Sequence, residues 1–199
     1  MNVAIFGGSF NPVHWGHRLI AETALNQVVL DRVIWVPTYC PPHKTQALLE
    51  FPHRLEMVRR AIANHPLFMV SDIEARRGGV SFAVATLRDL QTQYSNTNWY
   101  WIIGLDAFQT LPHWQGCEEL AHYCTWLIAP RNGKPEATID RVIHQLAPRS
   151  IQLRWQLLPL TPIHLSSSLI RQRCQLDQSV DELVPEAVCS YIVAHNLYK

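Results

Sequence analysis

Phe6-Gly7-Gly8-Ser9-Phe10-Asn11-Pro12-Val13-His14-Trp15-Gly16-His17 is the stretch that decides the reading of this 199-residue chain. Before it, residues 2–6 (Asn-Val-Ala-Ile-Phe) are mostly apolar and partly β-branched, which predicts a short buried strand. Gly7 and Gly8 end that strand and allow backbone angles and close approaches that a Cβ forbids. Asn11-Pro12 keeps the loop from turning helical too early. From Val13 onward the spacing of Leu19, Ile20, Ala24 and Leu25 is helical. Strand, glycine-rich loop and helix N-terminus, in that order, offer unpaired amides and a positive dipole end to an anion. His14 and His17, three apart, put both imidazoles over one side of the helix start, where each can donate to a phosphate oxygen.

Outward from this stretch the chain alternates. Strand-like runs at 32–37, 68–73, 99–104, 125–130 and 151–158 are separated by helical patterns near 14–27, 52–64, 82–93, 116–122 and 136–146. Such alternation predicts an α/β fold: a doubly wound, Rossmann-like parallel sheet with helices on both faces and right-handed crossovers. Ligands of these sheets sit at the carboxyl ends of the strands, which is where the glycine-rich stretch lies. One domain is expected, with residues 1–164 as the α/β core and 165–199 as a small C-terminal extension of two or three short helices.

Bulk properties exclude several classes of partner. A formal net charge of +1 gives no global reason for binding nucleic acid or a membrane surface, so any anion site has to be local. No apolar run reaches membrane-spanning length and the N-terminus lacks a secretion pattern. The five cysteines are scattered without C-x-x-C spacing and read as reduced thiols of a cytoplasmic protein. His113, Cys117, His122 and Cys124 match no common zinc spacing, so no protein-held metal is expected. The sequence leaves a homo-oligomer open.

Further candidates lie where strands should end. Pro41-Pro42-His43-Lys44 is a stiffened loop from which Lys44 can reach the phosphate region as a point charge. Arg54, opening the next helix, reads as a capping or ion-pair residue. Ser81 can cap the helix that follows Gly78-Gly79. Gly104 permits a close approach, Asp106 can accept from ribose hydroxyls, and Trp114 can offer a flat face to a ring. In Ser166-Ser167-Ser168-Leu169-Ile170-Arg171, hydroxyls, helix-start amides and a guanidinium converge on a second anion site.

His14-x-Gly16-His17 resembles the H-x-G-H signature of the nucleotidylyltransferase superfamily. The chain as a whole resembles the bacterial nicotinate-nucleotide adenylyltransferases, whose pieces it carries in order: Gly7-Gly8-Ser9-Phe10, His14-x-Gly16-His17, Pro41-Pro42-His43-Lys44 and His53-Arg54-x-x-Met57. Ser81 with Thr86-Leu87, Ile102-Ile103-Gly104-x-Asp106, Leu111-Pro112-x-Trp114, Ser166-Ser167-Ser168-x-Ile170-Arg171 and the ending Leu197-Tyr198 complete the series. The resemblance implies the nucleotidylyltransferase fold, ATP and nicotinate mononucleotide as substrates, and Mg2+ bound with the ATP phosphates. It implies that His14, His17, Lys44 and Arg171 are catalytic. Gly7, Gly8, Ser9, Phe10, His14, His17, Gly104, Asp106, Arg131, Ser167, Ser168 and Arg171 would bind ATP. Ser9, Lys44, Ala83 and Trp114 would bind the mononucleotide, with Trp114 stacked on the pyridine ring.

The chain departs from the family's pattern at three places. Asn11 stands where Asp is usual, and Ser168 where Thr is common. Phe82-Ala83 replaces a Tyr-Thr pair beside the nicotinate carboxylate, so an amide-accepting or dual-specificity enzyme is the nearest alternative. Phosphopantetheine and cytidylyl-transfer substrates fit Trp114 less well. A non-catalytic dinucleotide sensor would not need the triphosphate-holding residues, and an RNA-binding module would want a basic face that this chain lacks.

Overall fold

A computed structural model describes residues 1–42, 48–130, 135–161 and 165–199. The chain runs β1 (Asn2–Gly8), α1 (Trp15–Gln27), β2 (Arg32–Pro37), α2 (Phe51–Ile62), β3 (Phe68–Val70), α3 (Ile73–Arg77), α4 (Ala83–Gln93), β4 (Asn98–Gly104) and α5 (Leu105–Phe108). After a 3-10 turn at Leu111–His113 come α6 (Cys117–Tyr123), β5 (Cys124–Ala129) and α7 (Pro135–Leu146). A second 3-10 turn, Ala147–Arg149, leads to β6 (Arg154–Leu157), α8 (Ser167–Gln175) and α9 (Glu186–Ala194).

The six strands form one parallel sheet in the order β3-β2-β1-β4-β5-β6. β1 is central, pairing with β2 from Val3↔Arg32 to Gly8↔Pro37 and with β4 from Asn2↔Asn98 to Phe6↔Ile102. Strand order reverses between β1 and β4, so the crevice of a doubly wound sheet opens directly beyond Gly8. A strand covered on both faces has to be apolar on both, which is why Val3, Ala4, Ile5 and Phe6 run without a polar break. Ala4 and Phe6 enter one core with Trp35, Met57, Ile170, Val188 and Ile192; Val3 and Ile5 enter the other with Leu87, Trp101, Trp126 and Ile139. The extension after residue 165 therefore belongs to the first core. It contains two α-helices, α8 and α9.

The doubly wound parallel sheet stands as the sequence implies, with two strands shorter than expected. β3 stops at Val70 because Ser71 turns its hydroxyl to the Ile73 N–H (3.3 Å) and starts α3 at once. Residues 151–153 fall outside β6 because the Ile151 N–H folds back to the Leu146 carbonyl (3.3 Å). Among the described residues no helix is long and apolar enough to cross a membrane.

Candidate active site

The loop after β1 carries the first half of the site. His14 is the N-cap of α1 with an extended backbone (φ −151°, ψ 171°), and its N–H donates to Nδ1 of His17 at 3.2 Å. A nitrogen that accepts cannot carry the proton, so the neutral His17 ring holds its proton on Nε2. The two imidazoles stack, with centroids 3.7 Å apart and planes 28° apart. His14 is 5% exposed, far more enclosed than a surface histidine. Phe10 supports the pair from below: its ring meets His17 edge-on at 5.0 Å and packs against Phe6 and Trp35. That ring is buried, so the Phe10 expected to bind ATP contributes packing under His17 and not an open aromatic face. Gly8 is required by the same packing, since a Cβ there would lie 3.1 Å from the Phe10 ring.

One expectation about this loop is corrected. The first-turn amides of α1 are not open to an anion as a set: Trp15 N–H donates to the Leu183 carbonyl at 3.2 Å and His17 N–H to the His14 carbonyl at 3.0 Å.

The second half arrives from 155 residues away and docks on the same loop. Ser167 donates its hydroxyl to the Pro12 carbonyl at 2.8 Å. Arg171 donates to the Asn11 carbonyl at 2.8 Å and to the Ser168 hydroxyl at 3.1 Å, and the Ser166 hydroxyl caps α8 by accepting from Leu169 N–H. The starts of α1 and α8 thus meet over Asn11-Pro12, which brings the two stretches expected to bind anions together. Asn11 is itself buried; its side-chain oxygen accepts from Tyr198 Oη at 3.0 Å and from Leu49 N–H at 3.3 Å. An aspartate would accept the same two bonds.

Arg54 holds the loops after β1 and β2 together. It is 1% exposed and donates to three backbone carbonyls: Ser9 and Leu49 at 2.8 Å and Thr38 at 2.7 Å. Among the described residues it forms no salt bridge, and its side chain spends its donors on these carbonyls rather than on a helix cap. Burial pulls its pKa down, and the nearby Tyr198 and Glu74 work against that pull. A short side chain could not reach three carbonyls at once; the guanidinium fork can.

Around the other rim, Ser81 does not cap α4. Phe82 is the N-cap, while Ser81 exchanges bonds with the loop after β2: its hydroxyl accepts Cys40 N–H at 2.9 Å and its own N–H meets the Cys40 carbonyl at 2.7 Å. Buried Glu74 joins the same loop to α4, accepting from Tyr39 N–H at 3.0 Å and Thr86 Oγ1 at 2.7 Å. Ala83 opens α4, and the next residue, Val84, touches Gly116 so closely that a Cβ at position 116 would sit 2.7 Å from it. Trp114 lies just before that contact, half-buried, with Nε1 donating to Thr110 Oγ1 at 2.9 Å and its ring 6.2 Å from Trp126. Ala83 and Trp114 both pack against the same hydrophobic core. Gly104, level with Ala129 on β5, faces open space, and exposed Asp106 follows in α5 at the carboxyl end of β4. Lys44 and Arg131 lie outside the described residues.

A groove of about 700 Å3 lined by Tyr94, Trp99, Tyr100, Tyr123 and Arg154 lies at the amino ends of the strands and includes none of these residues. Missing from the sequence expectations are Glu74 and the roles of Arg54 and Tyr198, whose partners are distant in the chain.

The cytidylyltransferase-like family model matches residues 5–173. The chain is 48% identical to a probable nicotinate-nucleotide adenylyltransferase of Nostoc sp. over 99% of its length and 97% of the relative's. It is 45% identical to one of Synechococcus sp. over 98% and 96%. Its fold is similar to that of the Plasmodium falciparum nicotinic acid mononucleotide adenylyltransferase complexed with NaAD, with a TM-score of 0.79 at 20% identity, covering 99% of this chain and 97% of that one.

Proposed function

The chain belongs to the cytidylyltransferase-like family, among its nicotinate-nucleotide adenylyltransferases, and from that premise we infer that it transfers the adenylyl group of ATP to nicotinate mononucleotide. The products are nicotinate adenine dinucleotide and pyrophosphate, a step of NAD biosynthesis. The observation that carries the reading furthest into this structure is the meeting of the α1 and α8 starts over Asn11-Pro12, which gathers His14, His17, Ser167, Ser168 and Arg171 at the crevice.

An oxygen of the mononucleotide phosphate attacks the α-phosphorus of ATP. The new P–O bond forms as the bond from the α-phosphorus to the bridging oxygen breaks, and pyrophosphate leaves with that electron pair. No proton has to move. Catalysis then rests on holding the phosphates in line and neutralising their charge. His14 and His17 are assigned to α- and β-phosphate oxygens, and Ser167, Ser168 and Arg171 to the β/γ end. Lys44 and the Ser9 loop are assigned to the mononucleotide phosphate. Gly7, Gly8, Gly104, Asp106 and Arg131 are assigned to ATP on its adenosine side, and Ala83 and Trp114 to the mononucleotide, with Trp114 stacking on the pyridine ring. Mg2+ would supply further charge neutralisation on the ATP phosphates. Among the described residues no group of three or more His, Cys, Asp or Glu could hold a metal ion. The five unpaired cysteines support a cytoplasmic setting.

The test is pyrophosphate release with ATP and Mg2+, comparing kcat/KM for the nicotinate and nicotinamide mononucleotides. A strong preference for the acid is expected. Equal use of both would favour the dual-specificity reading that Phe82-Ala83 raises. No release with either would point to another acceptor or to a dinucleotide sensor.

A further inference from the structure

Every acceptor described on the Asn11-Pro12 pair is held by a distant part of the chain. The Pro12 carbonyl is held by Ser167, the Asn11 carbonyl by Arg171, and the Asn11 side-chain oxygen by Leu49 N–H and Tyr198 Oη. Leu49 N–H can only donate, so the atom it meets is the oxygen of the amide, and Tyr198 therefore donates too. Tyr198 lies in the segment after α9, which Leu197 pins by its buried side chain and by donating its N–H to the Ile192 carbonyl at 3.0 Å. Its ring packs against the core that carries Phe6, Phe10 and Ile170. Burial keeps its hydroxyl protonated well above the ordinary phenol range, against the pull of Arg171 and Arg54, so it remains a donor at any working pH.

We propose that Tyr198 is a positioning residue for the ATP side of the site: its hydroxyl fixes Asn11, and Asn11 in turn aims Arg171 and sets the entry to His14. The proposal rests on the adenylyl-transfer reading for its kinetic consequence, and on the hydrogen-bond chain alone for its structural one. Arg171 has its guanidinium divided between a backbone carbonyl and the Ser168 hydroxyl, so a turn that drifts takes the guanidinium with it. The loop after β2, on the mononucleotide side, meets this chain of bonds at Leu49, whose N–H shares the Asn11 oxygen with Tyr198, and through Arg54. Arg171 hangs on Asn11 directly, so a failure at Tyr198 should be felt more by ATP than by the mononucleotide.

The experiment uses the full chain as wild type, Tyr198→Phe, Asn11→Ala and the double variant. Tyr198→Phe keeps the ring and removes only the donor. It is expected to lower kcat/KM for ATP by about two- to twelvefold, the range set by one neutral hydrogen bond, while KM for the mononucleotide changes less. The double variant should lose no more than Asn11→Ala alone, since the hydroxyl acts only through Asn11. In the ligand-free protein, amide exchange at residues 9–11, 13–15 and at Leu49 should quicken several-fold in Tyr198→Phe. Additive losses in the double variant, equal effects on both substrates, or unchanged exchange with unchanged ATP kinetics would each overturn the proposal. Should the wild type release no pyrophosphate, the adenylyl-transfer reading falls, and the exchange measurement decides the hydrogen-bond chain by itself.

Discussion

The N–H of His14 donates to Nδ1 of His17 at 3.2 Å while the two rings stack at 3.7 Å. One bond thus sets both the start of α1 and the tautomer of the ring assigned to the phosphates. These two duties can be separated. His17→Ala removes both, and His17→Asn offers an oxygen in place of Nδ1 while losing the Nε2 donor. Both variants are expected to lose about 100- to 1000-fold in kcat/KM, the scale for one donor to a transition state. The alanine variant should also melt about 2–4 °C lower, from a cap worth about 1 kcal/mol, with the asparagine variant closer to wild type. Normal turnover in a destabilised His17→Ala protein would show a structural residue only.

Trp114 is anchored by Thr110 and half-buried, leaving part of its face for a ring. Trp114→Ala should raise KM for the mononucleotide about two- to twelvefold, from the 0.5–1.5 kcal/mol of an aromatic pair, with little change for ATP. A rise in the ATP constant instead would reverse the orientation of the two substrates.

Ala83 opens α4 without a side-chain hydroxyl. If a threonine hydroxyl there adds one hydrogen bond to the nicotinate carboxylate, Ala83→Thr should raise the acid-over-amide ratio of kcat/KM by about two- to twelvefold. An unchanged ratio would assign recognition to the backbone N–H alone.

Arg54→Met leaves three buried carbonyls without donors. At about 1 kcal/mol or more for each, the loss should lower the melting temperature by about 6–12 °C, read by calorimetry. Arg54→Lys, which cannot span all three, should fall between. A variant melting within a degree of wild type would mean that water replaces the guanidinium at no cost.

Burial pushes the Cys124 thiol from its ordinary 9.0 up to about 12. Between those values the folded chain keeps a proton that the unfolded chain has released, so rising pH favours unfolding. The contribution is complete below pH 9.0 and fades toward pH 12. Denaturant titrations at several pH values should show the margin of wild type over Cys124→Ala shrinking across that window; a constant margin would contradict the assignment.

How far the sequence discloses the molecule depends on distance along the chain. The strands are legible because a parallel sheet demands continuous apolar runs, and Val3 to Phe6 has no other use. His14 and His17 are legible because three residues bring them to one face. Ser81 misleads because a serine before a helix fits a cap equally well, and only the fold shows that Cys40 claims it. Arg54 and Tyr198 are opaque for the same reason: their partners, Ser9 and Asn11, lie 45 and 187 positions away. Nothing local in the residue pattern announces those bonds.

The partners of Asn11-Pro12 also lie far apart in time. Ser167, Arg171 and Tyr198 follow their acceptors by 155, 160 and 187 residues. At translation rates of about 5–20 residues per second, the loop is synthesised roughly 10–40 s before its last donor. The central strand is laid down first, yet the turn it leads into is among the last parts to settle. A nascent chain of this protein should carry a sheet long before it carries an ATP site.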